Sequence, residues 1–327
     1  MKIITLFISL LFLFSCTKKN NEVYQSVSND KVIGTVTDIL TVKKLMETHC
    51  YLCHSPNAAE NQGRIAPPMV AIKARYIEIE GYNRDEFIEN VVAFVANPTE
   101  DKALMFGAIR KHGLMPKQAF PEGTVAKIAA FMFDYQIEEP EWFKAHWQAN
   151  GNKSWKQSGK KYEEIENEKT YADVGLEYAL ETKKVLGKNL MEAIQQKGTL
   201  EALVFCNSQA LSLTDSMSIN YNASIKRVSD KNRNPHNSAN AEELNYIAQF
   251  KKALAANQEI KPVAIEKGNK IQFYYPIETN SMCLQCHGKH IKPEISKQIL
   301  KFYPKDLAVG YDENEVRGIW SITFDKK

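Results

Sequence analysis

The sequence predicts two unlike halves: an all-α one, then an α+β one in which long helices lead into an antiparallel sheet. Three observations carry this. Apolar residues recur at helical spacing between about Gly34 and Ile137, with no alternating run among them. A long helical pattern spans Tyr171 to Gln196. Alternating strand patterns come only after Pro262 and close the chain at Val316 to Phe324.

In the first half, Val36, Ile39, Leu40, Leu45 and Met46 keep helical spacing. A second helix is expected from Arg84 to Ala96, where Phe87, Val91, Phe94 and Val95 share a face and Asn97-Pro98 ends it. A third runs from Thr124 to Tyr135, with Val125, Ile128, Ala129 and Met132 inward. Residues 138–164 form a charged connector broken at Asn150-Gly151-Asn152 and Ser158-Gly159. The connector holds Trp142, Trp147 and Trp155, three of the four tryptophans of the chain. Two readings stand for them: helices packed on a domain surface, or a brace between domains.

The second half, 165–327, opens with the long helix, whose Val174, Tyr178, Val185 and Leu186 lie on one side and which Lys197-Gly198 breaks. Another helix starts near Thr199, polar loops fill Asp230 to Asn240, and a shorter helix covers Ala241 to Ala256. Strands at Pro262 to Glu266 and Lys270 to Ile277 are joined by Lys267-Gly268-Asn269. In the last strand Ile319, Ser321 and Thr323 alternate against Gly318, Trp320 and Ile322.

Each half carries one CxxCH: Cys50-Tyr51-Leu52-Cys53-His54 and Cys283-Leu284-Gln285-Cys286-His287. That pentapeptide is the attachment pattern of c-type haem. Two thiols one helical turn apart can add to the two vinyl groups of one porphyrin, and the adjacent histidine then offers its imidazole to the iron. The motifs predict two covalently bound haem c, on Cys50 and Cys53 and on Cys283 and Cys286. Their surroundings are unlike, so the chain is not an internal repeat.

The first half resembles class I cytochromes c over roughly a hundred residues. The shared order is helix, CxxCH, proline-rich turn, helix, Met-Pro loop and closing helix. The resemblance implies His54 as proximal ligand, with the Ala66-Pro67-Pro68 turn receiving its other ring N–H at Pro67. It implies Arg64 beside a haem propionate and Met115, in Gly113-Leu114-Met115-Pro116, as the sixth ligand. His112 is the alternative, and Met69 and Met105 are weaker ones that core packing explains. Val42 and Met46 depart from the glycine and aromatic usual where the first and last helices cross. A His/Met pair raises the reduction potential and leaves no open iron position.

The second half resembles a bacterial haem c domain with a PAS-like fold, known both as stand-alone exported proteins and as input modules of kinases and chemoreceptors. The matching features are Phe205-Cys206-Asn207, Arg227-Val228-Ser229, Arg233-Asn234-Pro235, Cys283 to Gly288 and the Gly318-containing strand. The resemblance implies an iron held by His287 and Cys206. Read from the residues, Cys206 lies with Ala202, Leu203, Ala210 and Leu213 on one apolar helical face, and a buried structural thiol stands beside the ligand reading. His290 and His236 are rivals for that iron. Arg227 and Arg233 suit propionates by bidentate pairing or belong to a solvated basic loop. A thiolate ligand lowers the potential, so the two haems would differ.

At the N-terminus, Lys2 precedes a short apolar run, Ile3 to Phe14, followed by Ser15-Cys16. This resembles a bacterial lipoprotein signal, with Phe14 bulkier than usual. The resemblance implies residues 1–15 as signal peptide, lipid on Cys16, and 16–33 as a flexible tether; cleavage to an unlipidated product is the alternative. Of six cysteines, one would carry lipid and four haem, leaving Cys206 without a partner. With 42 Lys+Arg against 39 Asp+Glu the net charge is only +3, which argues against a nucleic-acid partner. No hydrolytic constellation, phosphate loop or dinucleotide fingerprint is present in the sequence.

The expected protein is therefore a non-enzymatic dihaem electron carrier, exported and lipid-anchored to a bacterial membrane facing the periplasm, exchanging electrons with redox partner proteins of the cell envelope. A haem-based redox or gas sensor is the second reading, and a dihaem peroxidase the third.

Overall fold

The computed structural model describes residues 36–61, 64–118, 120–152, 154–162, 169–258 and 260–326. The expected signal segment, Cys16 and the tether lie outside them. The first half is helical: α1 (Val36–His49), α2 (Met69–Ala74) continued by a π-helical turn (Arg75–Ile79), α3 (Arg84–Ala96), α4 (Phe106–His112) and α5 (Thr124–Asp134). Asn83 caps α3 reciprocally with Glu86, which sets its start at the expected residue. α5 packs on both α1 and α3. Phe87, Ile88 and Val91 of α3, Ile128, Phe131 and Met132 of α5, and Val42 and Met46 of α1 are buried in this core.

The connector wraps the first half. Its helix α6 (Phe143–Ala149) and the residues beside it reach back: the Trp142 indole donates to Ala58 O (2.8 Å), and His146 Nδ1 lies 2.7 Å from Glu60 Oε1. Trp155 packs on Phe143 and Trp147 and donates to Glu139 Oε2. Of the two readings of these tryptophans, these contacts are those of packing on the first half. A single lysine pins the return. Lys73, 1% exposed, donates to Tyr135 O and Ser158 O, both at 2.7 Å.

Burial pulls Lys73 down to about 8 from its ordinary 10.5. Below pH 8 the folded and unfolded chains both hold this proton. Between about pH 8 and 10.5 the unfolded chain binds it more, so this lysine makes stability rise with pH across that window. Urea unfolding at pH 7.5 and 9.5 should show a rise for the wild type that Lys73→Met lacks; parallel behaviour of the two proteins would contradict it.

The second half is α+β. After α7 (Tyr171–Lys197) come α8 (Thr199–Ser208), α9 (Ala210–Asn220), β1 (Ser224–Val228), α10 (Ala241–Ala255), β2 (Val263–Lys267), β3 (Lys270–Glu278), α11 (Leu284–His287), α12 (Pro293–Phe302) and β4 (Val316–Asp325). The sheet order is β1-β4-β3-β2, with every neighbour antiparallel. Strand alternation feeds two cores. Ile225, Phe273, Trp320 and Ile322 face α7 and α9, while Val228, Tyr274 and Ile319 face Ile247 and Phe250 of α10. Thr170–Asp173 and Asn240–Glu243 capping boxes start α7 and α10.

One expectation is corrected. The face shared by Ala202, Leu203, Cys206, Ala210 and Leu213 does not belong to a single helix, because the chain breaks at Gln209 between α8 and α9. Ser208 turns its hydroxyl onto Val204 O (2.9 Å), a local bond that competes with the helical ladder.

The described residues fall within one compact unit, Ile33–Lys327. Lys44 pairs with Asp173 at 3.1 Å, Asn280 Nδ2 donates to Gln118 Oε1 at 3.0 Å, and Ser281 Oγ to Lys117 O at 3.0 Å, all between the halves. Among the described residues no helix is long and apolar enough to cross a membrane.

Candidate functional site

Both CxxCH segments are built the same way. In the first, the chain leaves α1 as a further turn, with Cys50 N donating to Met46 O (2.8 Å) and His54 N to Cys50 O (2.9 Å). In the second, His287 N donates to Cys283 O at 3.0 Å. A helical turn puts residues three apart on one side, so each pair of thiols shares a face. All four cysteines are free. Burial and the neighbouring Cys53 push the Cys50 thiol up to about 12, and burial raises Cys286 to about 11. Burial thus favours the protonated thiol at Cys50 and Cys286.

The two histidines are oriented by backbone carbonyls. His54 Nδ1 lies 2.6 Å from Pro67 O, and His287 Nδ1 lies 2.7 Å from Ala308 O. A carbonyl can only accept, so Nδ1 carries the proton and Nε2 keeps its lone pair. Burial holds both imidazoles below their ordinary value; for His287, Arg317 and Arg233 push the same way. Each ring is thus neutral, with its tautomer set for coordination through Nε2.

Around His54 stand Arg64 and His112. The Arg64 guanidinium lies 4.7 Å over the Trp142 ring, and its Nε is buried without a hydrogen-bond partner. An orphaned donor of this kind fits a carboxylate, which the propionates of a porphyrin would supply. His112, at the end of α4, is hydrogen-bonded to the backbone of Arg64; burial first, then Arg64, lowers it to about 4, and it also feels His54. Met115 is half-buried on the loop three residues beyond.

Around His287 stand Cys206 and several arginines. Cys206, at the end of α8, is raised by burial and feels Arg227, Arg317 and Arg233. Cys286 feels Cys206 in turn, so the structure brings the leftover thiol to the second CxxCH. His290 and His236, the rival imidazoles, are exposed. Arg233 is committed elsewhere than the sequence suggested. It forks onto Asp306 with Nε and a terminal nitrogen (3.1 Å each) and donates to Cys286 O (2.6 Å) and Ala308 O (3.3 Å). Its work in the structure is to brace the second motif.

The sequence reading omitted Arg317, Ala308, Asp306 and Lys183. Arg317 gave a signal, as a cation inside an otherwise apolar strand. Ala308 gave none, because it acts through its carbonyl.

The first motif presses on α7. Leu52, inside the first CxxCH, packs on α7 at Gly187, and Lys183 one turn earlier is felt by His49 and Cys53. Lys183 is also felt by Glu278 at the end of β3. Two turns further along the same stripe, Met191, Ile194 and Gln195 line a cleft of ≈ 250 Å³. Its other walls are His112, Leu114 and Pro116 from the first half, and Ser281, Met282 and Gln285 at the second motif.

The pattern of the Tll0287-like family matches residues 159–324, half of the chain. This chain belongs to the Tll0287-like family. The family region holds the second CxxCH, Cys206 and the sheet, and leaves the first CxxCH outside it. A solved structure described as that of the cyanobacterial haem protein Tll0287 is 17% identical, with 49% of this chain and 98% of that chain covered and a TM-score of 0.38. No curated protein matches the chain.

Proposed function

We propose that this Tll0287-like chain is a dihaem c-type cytochrome that carries electrons in the bacterial cell envelope. The observation that carries the reading is the repeated construction of the two CxxCH turns. In each, paired free thiols adjoin a histidine whose Nδ1 is spent on a backbone carbonyl. Among the described residues no group of three or more metal-ligating side chains could hold a zinc ion, and a redox dithiol has no need of that histidine. Membership of a family with a haem protein among its relatives supports the same reading for the second half.

Cys50 and Cys53 would hold one haem c, with His54 and Met115 binding its iron and Arg64 pairing with a propionate. Cys283 and Cys286 would hold the other, with His287 and Cys206. Bound haem supplies one-electron ferric/ferrous chemistry. The protein fixes both imidazoles, keeps both motifs half-buried and packs the first on α7, while the second shares a cleft with that helix, an arrangement that favours exchange within the molecule over an enzymatic site. We read the first half as a class I cytochrome c domain and the second as a PAS-like haem domain. Lipid on Cys16 would anchor both at a membrane, with redox proteins of the envelope as partners.

The test is maturation of the full chain in a host with haem c assembly. Pyridine haemochrome should give two haems per chain. Cys50→Ala/Cys53→Ala and Cys283→Ala/Cys286→Ala should each retain one, assigned by mass spectrometry of tryptic peptides. Low-temperature EPR should lose a thiolate-type low-spin signal in Cys206→Ser and keep it in Met115→Ala. Colourless protein, or one haem in the wild type, would refute the proposal.

A further inference from the structure

We propose that Arg227 and Arg317 form a two-guanidinium clamp for a carboxylate in a small cavity beside the second CxxCH. β3 and β4 pair regularly up to Ile277 with Gly318, and the next pair is Glu278 with Val316, so Arg317 has no partner. It is the extra residue of a β-bulge, a device that re-aims a side chain. The cores record the shift. Ile319 and Val316, three apart, both face α10, where strict alternation would send them to opposite faces. Arg317 is thereby delivered to the wall that Arg227 reaches from β1.

That wall is unbalanced. The cavity is lined by Arg227, Ser229, Lys231, Asn232, Arg233 and Arg317, among others, and by no acid. Arg233 is neutralised by Asp306. Arg227 has only Ala210 O at 3.4 Å, and neither it nor Arg317 has a carboxylate partner among the described residues. Burial first, and then the nearby Arg317, lowers Arg227 to about 10, while Cys206 and Tyr303 act against the shift. The space is ≈ 60 Å³, about four times what one water requires. It admits a carboxylate group and not a ring system, so the body of the ligand would lie outside. Guanidiniums suit that group because their forked donors match two oxygens.

Two sources share this chemistry: the propionate edge of a porphyrin on Cys283 and Cys286, which rests on the function proposed above, and a free organic acid. The matured full chain would be compared with Arg227→Met, Arg317→Met and the two lysine variants. Replacing a half-buried cation that has no carboxylate partner by methionine is not expected to unfold the domain, and the lysine variants keep the charge. In the propionate case, the propionate-bending bands of the resonance Raman spectrum shift in both methionine variants, return partway with lysine, and ignore acetate. In the free-acid case, those bands stay put. Acetate then raises the wild-type Tm by about 2–4 °C over chloride at equal ionic strength, and the methionine variants lose that rise. Neither response would overturn the clamp. Mass spectrometry of the Cys283–Cys286 peptide separates the two failures. If that peptide carries no porphyrin, the haem reading fails there, and the acetate result alone decides the clamp.

Discussion

Gly175→Ala should destabilise the protein even though alanine is the better helix former. Glycine in a helix interior costs about 1 kcal/mol relative to alanine, so an exposed site would gain from the change. At position 175 a Cβ would lie 2.2 Å from Cδ2 and 2.3 Å from Cγ of Phe273. That ring cannot retreat, because Phe273 is fully buried between Leu176, Trp320 and their neighbours at the centre of the sheet face. Overpacking of this kind costs typically 1–3 kcal/mol and more for larger side chains. Less the about 1 kcal/mol gained in helix propensity, the net loss for alanine is expected at about 1–2 kcal/mol, a Tm lower by roughly 2–8 °C, and Gly175→Val should leave the second half unable to fold. Gly187 on the same helix is the control. There the added methyl meets only the tip of Leu52 at 3.1 Å, a side chain able to rotate. Gly187→Ala should be within about 0.5 kcal/mol of wild type. A Tm at or above wild type for Gly175→Ala would show that α7 and β3 are not held at this distance in solution.

The contrast between these glycines also shows what sequence could and could not convey. Helices whose apolar residues repeat over three turns or more, such as α3, α5 and α10, fall within a residue of the spans their spacing predicts. β3 and β4 are equally plain, because each buries both faces with a dense apolar pattern. β1 was invisible: Ser224–Val228 offers only Ile225 and Val228 to the core and reads as part of a polar loop. α12 carried a usable signal, Pro293 at its start and Ile295 and Ile299 one turn apart, yet its surface residues mask it. At the site, thiols and imidazoles announce themselves by spacing. Backbone acceptors do not. Pro67 O is reachable only through a family pattern, and Ala308 O not at all. Arg317 is plain in the sequence as a residue, but a bulge in the register decides which way it faces, and register is a property of strand pairs.

Arg233→Met should be the most damaging single substitution of a polar side chain near the second motif. The Arg233 and Asp306 side chains are 11% and 3% exposed, so their fork is nearly withdrawn from water. Removing one partner of such a pair leaves a buried charge uncompensated, at a cost of about 3–5 kcal/mol. More than the pair is lost. Arg233 also holds Cys286 O, inside the CxxCH turn, and Ala308 O, the acceptor that orients His287. Asp306 in turn receives Ala308 N at 3.0 Å. The four groups form a closed brace in which the carbonyl under His287 is fixed from both sides. Two measurements separate its electrostatic part from its positioning part. In a double-mutant cycle, Arg233→Met/Asp306→Leu should recover most of the stability lost by either single change, since a buried ion pair can often be exchanged for apolar contacts at little net cost. The orientation of His287 should not recover, because neither replacement can donate to Ala308 O. In the matured chain, the low-spin EPR g-values of the second centre should therefore stay displaced in the double variant while its unfolding midpoint returns. If stability and g-values move together through the whole cycle, the brace contributes to the fold alone and has no separate hold on the histidine.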